Sequence, residues 1–531
     1  MPDMQKMSGM PENGQEQQKQ PPIAEFEGYA ECPLFSEMCR ITIDKEGMAI
    51  AGRFHQLPIL YGEIQSLEAS EFQLRLETAG GQVVFSRMGQ ESEWLADKLR
   101  NAYNDAVVSA LLITGKPILT AQCSYHADEG GKSHQGQAEI RLYEDCLCIL
   151  PPDENARRLP LCFLTGADKE SYSLTLTLST RERYTLSKMG RELDELDRLL
   201  TKQLRALREK TLEWHKKLVP SLGSMQAASA GSLMPLGRAA DFGKLKAVAP
   251  PLAAALEEKL GGSRMAQTWP WLRELCGGAG LMLGALPAPE KEEGAETLVA
   301  LPQTAPTEDT EASEEVPTEP APILWLMASD KEGGVAAVEL ALGEGEAAAT
   351  YLYRIEGGWD DFSLLIDRAL EAAAFQREAI LLPEDNLALP EHIMDGMLVK
   401  RTPAIARLRR CFAGRAIHSS FDRWLRDVEK CRSSLAQASK GTDPEQEQKT
   451  KYYTGCGAKL TPGAKFCGQC GTPHPGNLLA AVLYHVHYRD CRHRVPCAGD
   501  HRHYQCEQRR NETAAGHRRD QYFEVARCPV S

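Results

Sequence analysis

One short phrase occurs twice in this chain, about a hundred positions apart, and an amphipathic helix follows it each time. The first copy reads Phe85-Ser86-Arg87-Met88-Gly89 and the second Leu186-Ser187-Lys188-Met189-Gly190. Counted from each glycine, Leu95 matches Leu196, Leu99 matches Leu200, Tyr103 matches Leu204 and Ala106 matches Leu207. Steps of four, four and three place each set on one helical face. The segments before the phrase also correspond. Phe72, Leu74 and Leu76 alternate with polar residues, as do Leu174, Leu176 and Leu178; a period of two means one buried and one wet sheet face. A turn follows each run (Ala79-Gly80-Gly81, Arg181-Glu182-Arg183), then a short strand (Val83–Phe85, Tyr184–Leu186). Earlier hairpins run through Asp44-Lys45-Glu46-Gly47 and Tyr143-Glu144-Asp145. Residues 24–112 and 118–219 are therefore expected to be one module written twice, a small antiparallel β-barrel closed by a C-terminal helix.

That plan resembles the pleckstrin-homology superfold in its bacterial form. The resemblance spans residues 24–212 and lies in pattern and element order, with no diagnostic ligand motif. It implies binding of phosphoinositides, peptides or other domains, and the fold alone does not choose among them. A basic loop between the first two strands would favour phosphoinositides. That loop is read here as Asp44-Lys45-Glu46 in one copy and Glu144-Asp145 in the other, so a lipid headgroup is not expected.

The remaining length leaves room for further units, since 531 residues correspond to about three to five domains at roughly 100–200 residues each. The first 23 residues lack the basic-then-apolar order of a signal peptide and read as a disordered lead. Residues 220–285 read as a helical region, with patches at Leu252–Leu260 and Trp269–Leu275. Gly277-Gly278-Ala279-Gly280 lacks the Gly-Lys-Ser/Thr ending of a phosphate loop and reads as a connector. Residues 286–322 form an acidic, proline-rich linker. Residues 323–435 read as a small α/β domain. Its strands are placed at Ile323–Met327, Val335–Leu342, Ala349–Ile355 and Ala379–Leu382. Its helices are Asp360–Ala374, on which Phe362, Leu365, Ile366 and Leu370 share a face, then Ala404–Phe412 and Ser420–Leu435. A polar linker over 436–450 follows. The fold class expected is thus multi-domain α+β: two barrel-plus-helix modules, a helical region, a small α/β domain and a zinc ribbon.

The ribbon rests on residues 451–475. Tyr452-Tyr453-Thr454-Gly455-Cys456-Gly457 is followed by Phe466-Cys467-Gly468-Gln469-Cys470-Gly471. This resembles the short bacterial zinc ribbons in which two C-x2-C knuckles, each followed by glycine, supply four thiolates. Tyr453 stands where the first cysteine belongs. Cys456, Cys467 and Cys470 remain as ligands, and His474 is the candidate fourth. A ribbon that no longer holds metal, and an open site with water as fourth ligand, are the alternatives. The tail over 476–531 carries Cys491, Cys497, Cys506 and Cys528 among six histidines and nine arginines, with no lysine. It reads as disordered; a second metal cluster at Cys491, Cys497, His503 and Cys506 is the competing reading.

No catalytic constellation emerges. His418 and Cys411 could be imagined as base and nucleophile, but the stretch from Arg407 to Trp424 reads as an ordinary amphipathic helical segment. His55, His126, His134 and His215 are isolated. Cys146, Cys148 and Cys162 read as small buried apolar residues. A net charge of −13 argues against general duplex-DNA binding, and Leu275–Leu286 and Leu478–Val486 are too short to span a bilayer. The function expected is therefore that of a non-catalytic cytoplasmic scaffold binding protein partners, with zinc as a structural cofactor. The alternative is a regulatory protein that binds nucleic acid through the ribbon and the arginine-rich tail.

Overall fold

From Ala24 to Ser86 buried and exposed side chains alternate through seven short strands, as one-sided sheets require. These are β1 (Ala24–Glu31), β2 (Ser36–Ile43), β3 (Gly47–Ala51), β4 (Gln56–Leu60), β5 (Ile64–Ser70), β6 (Gln73–Thr78) and β7 (Gly81–Ser86), and helix α1 (Glu91–Ala110) follows. The second copy repeats them as β8 (Leu119–Asp128), β9 (Ser133–Leu142), β10 (Cys146–Leu150), β11 (Arg157–Pro160), β12 (Leu164–Lys169), β13 (Ser173–Leu178), β14 (Arg183–Ser187) and α2 (Glu192–Leu218). The computed structural model describes residues 21–70, 72–277, 280–287, 322–341, 349–375 and 378–440.

The two antiparallel sheets have one topology. Their orders are β4-β3-β2-β1-β7-β6-β5 and β11-β10-β9-β8-β14-β13-β12. A single 3-10 turn precedes the fifth strand in each, at Tyr61–Glu63 and Leu161–Phe163. The register slips at the same place, between Ile64 and Ser66 and between Leu164 and Gly166. The repeated phrase is a backbone device. Arg87 and Gly89 have φ of 59° and 58°, and Lys188 and Gly190 have 57° and 61°. Two left-handed residues around one methionine reverse the chain after the last strand and bury Met88 and Met189 under the helix. A left-handed arginine costs on the order of 1–2 kcal/mol; the Arg87 guanidinium, 4.1 Å from the Tyr29 ring centre, offsets part of it. The matched helix faces are buried as their spacing predicts: Leu95, Leu99 and Tyr103 fully, Leu196 and Leu200 fully, and Ala106, Leu204 and Leu207 in part.

One loop assignment read from the sequence is corrected. Asp44-Lys45-Glu46 joins β2 to β3, and Tyr143-Glu144-Asp145 joins β9 to β10. The turns between the first two strands are Cys32–Phe35 and Glu129–Lys132. The true first strand escaped notice because Glu25, Glu27 and Glu31 leave its apolar signal thin.

The third sheet joins two stretches that the sequence reading separated. Its strands are β15 (Ala240–Asp241), β16 (Leu281–Leu286), β17 (Ile323–Ser329), β18 (Val335–Ala341), β19 (Ala349–Arg354) and β20 (Phe412–Ile417), paired antiparallel in that order. Leu286 lies opposite Ile323, so the region expected to be helical and the α/β domain share one sheet. One face carries Leu281, Leu283, Leu324, Leu326, Ala337 and Leu352. It packs on α3 (Ser224–Leu233), α4 (Phe242–Val248), α5 (Pro250–Gly261), α6 (Thr268–Cys276) and α11 (Phe421–Lys440). The other face carries Trp325, Met327, Val338 and Tyr353. It packs on α7 (Trp359–Ala372), α8 (Glu378–Leu381), α9 (Ile393–Arg401) and α10 (Pro403–Cys411). Helix α8 occupies the stretch that the sequence reading made a strand at Ala379–Leu382. Gly284 faces Trp325 across the β16–β17 ladder. A Cβ there would lie 1.9 Å from the Trp325 ring, so only glycine admits the indole.

The three sheet units join through buried contacts. The β5 edge meets the β10–β11 loop: the Leu67 N–H donates to the Pro152 carbonyl at 2.8 Å. Cys146 and Cys148 face away from their own module's core and enter the cluster that holds α1 and α7, whereas Leu147 and Ile149 face inward. All of strand β10 is therefore buried. These units make a multi-domain α+β protein, and no helix among the described residues is long and apolar enough to cross a membrane.

Candidate functional site

A buried polar cluster lies on the α6/α11 face of the third sheet. Glu339 is the one charged residue in β18, Val335–Ala341, and it is nearly fully buried. An isolated buried carboxylate is costly, so it must gather donors. His418, just past β20, places Nε2 2.5 Å from Glu339 Oε1. The Thr350 hydroxyl, from β19, donates to the same oxygen and accepts from Trp424 Nε1 at 2.7 Å. Thr268 Oγ1 lies 3.3 Å from Nδ1 and 3.4 Å from Nε2, beside the ring rather than across it from Glu339. The Trp271 ring stands edge-on to the imidazole, with centroids 6.1 Å apart.

A hydroxyl, an imidazole and a carboxylate are the groups of an acyl-transfer triad, but Thr268 straddles both ring nitrogens instead of standing opposite Glu339. The setting works against that chemistry. Thr268 is fully buried, at 0% exposure. A cleft of about 190 Å³ lies between α6, α11 and the β17–β18 turn. It is lined by Glu274, Lys331, Phe421, Trp424 and Arg432 among others and touches neither Thr268 nor His418. Small-molecule sites are typically about 300–1,000 Å³. The cluster instead fastens α6 and α11 to the sheet through a satisfied buried charge.

His418 and Cys411 take different partners. Burial and then the nearby Glu356 carboxylate push the Cys411 thiol up to about 11, and the thiol bonds to Glu356. Burial likewise raises Cys39 to about 11, Cys123 and Cys148 to about 12, and Cys146 and Cys162 further. None of these thiols is poised as a thiolate nucleophile. Of the isolated histidines, His55 meets Glu37 at 3.3 Å, His126 meets Ser133 at 2.9 Å and His134 meets Glu129 at 3.8 Å. His215 is fully buried with neither ring nitrogen hydrogen-bonded, and burial lowers its pKa to about 4.

Cys456, Cys467, Cys470 and His474 lie outside the described residues, as do the tail cysteines. Among the described residues, no group of three or more His, Cys, Asp or Glu side chains is placed to hold a metal.

What the modules do offer is exposed aromatic surface. Phe72 and Tyr172 occupy equivalent β-turn tips, β5–β6 and β12–β13, and are 63% and 85% exposed. The sequence reading set Phe72 in the buried alternation with Leu74 and Leu76; instead it precedes β6 in the turn, with φ of 62°, and its ring is exposed. No protein-family model matches the chain, and no curated protein matches its sequence.

Proposed function

We propose that the chain is a cytoplasmic adaptor whose two pleckstrin-homology-like modules bind protein partners through their hairpin tips, without catalysis. The observation that carries this reading is the pair of exposed rings, Phe72 and Tyr172, at one equivalent turn of two sheets with the same strand order. Large exposed aromatics supply much contact area at little entropy cost and are enriched at interfaces. The turns between the first two strands, Cys32–Phe35 and Glu129–Lys132, hold one basic residue between them, which favours a protein over a phosphoinositide. The test is affinity capture with the full chain carrying Phe72→Asp and Tyr172→Asp together. Specific partners should be lost while the melting temperature stays within about 2 °C, as for exposed substitutions. An unchanged set of captured proteins overturns the reading.

The ribbon enters this proposal as an accessory module. Three thiolates and an imidazole form a soft donor set suited to zinc, with Cys456, Cys467, Cys470 and His474 as the holders. Purified protein is expected to carry about one zinc per chain, and Cys467→Ser to lower that content severalfold. Equal zinc in both removes the site.

A further inference from the structure

The two modules are alike, but among the described residues only the second is covered on its outer face. In the second module, the outward side of β10 and the β10–β11 loop carry the first module. Cys146, Cys148, Leu150 and Ala156 are buried there. The Leu67 N–H on the β5 edge bonds to the Pro152 carbonyl, Ser66 bridges to Asp153, and the Tyr103 hydroxyl donates to the Asp153 carbonyl at 3.2 Å. The joint therefore has two halves, an edge strand on one module and an outer face with its loop on the other.

Both halves exist again, without a partner among the described residues. The equivalent face of the first module is the outer side of β2 and β3 with the β3–β4 loop, Gly52–His55. Small residues, Ala49 and Ala51, stand where Cys148 and Leu150 stand in the covered copy. Around them Leu34, Met38 and Phe54 are 49%, 55% and 80% exposed. The Phe35 and His55 rings stack at 5.3 Å and tie the two loops together. The equivalent edge is β12, the last strand of the second sheet. Thr165, Ala167, Asp168 and Lys169 on it are exposed. Ala167 lies opposite Leu176 as Leu67 lies opposite Leu76, so its N–H has the open side of the ladder, where the Leu67 N–H finds Pro152. An unpaired edge strand is a standing template for pairing. The charges agree as well: Arg40 and Arg53 lie on the bare face, Asp168 and Glu170 at the end of β12.

We propose that the β2–β4 face of the first module docks the β12 edge of a second copy of this chain, repeating between molecules the joint the two modules make within one. The edge and face differ, so the contact is heterologous and can continue from copy to copy. This deepens the adaptor reading by naming one partner, and it is judged separately, because it needs only the purified chain.

Sedimentation velocity on the full chain, from about 1 to 100 μM, spans the range of a weak interface. The wild-type average mass should rise above the 58.6 kDa of one chain as concentration increases. Phe54→Asp spoils the face, and Ala167→Pro blocks the edge N–H. Each variant alone should stay at single-chain mass with its melting temperature intact. Mixed in equal amounts, they should form a dimer that grows no further, since one intact face meets one intact edge. The proposal is overturned by a wild-type chain that stays monomeric throughout, by Phe54→Asp associating like wild type, or by a mixture that stays monomeric.

Discussion

Asp367→Ala should destabilise the third unit by about 3–5 kcal/mol, because it strands two buried donors at once. Asp367, on α7, is 1% exposed. Its Oδ1 accepts from the Trp325 indole N–H at 2.8 Å and its Oδ2 from the Ala239 N–H at 2.8 Å. Trp325 is the large ring for which Gly284 makes room, so the lost hydrogen bond loosens the centre of the sheet. Burial raises the Asp367 carboxyl to about 7 from its ordinary 3.8, against the pull of Trp325, Ala239 and Arg238. Between those values the folded chain holds a proton that the unfolded chain has released. Stability from this group is therefore full below about pH 4 and declines as pH rises towards 7, by up to about 4 kcal/mol. Asp367→Asn should remove that slope. It should be less stable than wild type at pH 5, where its amide N–H meets a backbone N–H, and close to wild type at pH 8. Urea unfolding followed by tryptophan fluorescence at the two pH values reads this directly. Parallel pH profiles for wild type and Asp367→Asn would show that Asp367 is ionised in the fold.

The modules were legible in the sequence and the third sheet was not, for one physical reason. Short-range periodicity reports strands and helices well where each buries one face, as with Leu174, Leu176 and Leu178 or the Leu95 to Ala106 stripe. It does not report pairing across distance. Strand β15 has two residues, too few for any pattern, and β16 meets β17 across the proline-rich stretch that reads as a boundary. The Ala379–Leu382 segment has a strand's composition, yet it forms a helical turn packed with α9 and α10. The Glu339–His418 pair spans 79 positions, and its only sequence signal is a lone carboxylate inside an apolar strand. That signal marks a buried polar partner to be sought, though not which one. The repeated Ser-Arg/Lys-Met-Gly phrase was visible as a match, while its cause, two left-handed residues around a buried methionine, needed the backbone.

Glu371→Ala should cost about as much as Asp367→Ala, on the order of 3–5 kcal/mol, by taking a buried carboxylate from Arg368 and leaving Arg158 with only the more exposed Asp145, at 3.1 Å. Glu371, at the end of α7, holds Arg158 of β11 at 2.6 Å through one oxygen and Arg368 at 3.0 Å through the other. The side chains of all three are about nine-tenths buried, and the Arg368 guanidinium also donates to the Arg158 carbonyl. Arg238 and Arg368 lie over the Phe163 ring at 5.5 and 5.8 Å. Three guanidinium groups thus meet at the seam between the second module and the third unit, with Glu371 between two of them. Taking the carboxylate away leaves like charges facing each other in a dry seam, where salt screens little. The seam should then open first, before either sheet unfolds, and be seen as early hydrogen exchange in β11 and α7. Replacing Arg158, Arg368 and Glu371 together by leucine should recover at least half of the loss, since a buried ion cluster exchanged for apolar groups of similar size is often neutral or better. If the triple variant is as unstable as Glu371→Ala, side-chain packing rather than charge compensation holds the second module to α7. A second module that exchanges no faster in Glu371→Ala would mean that the apolar core around Cys146 and Cys148 is enough to hold the seam by itself.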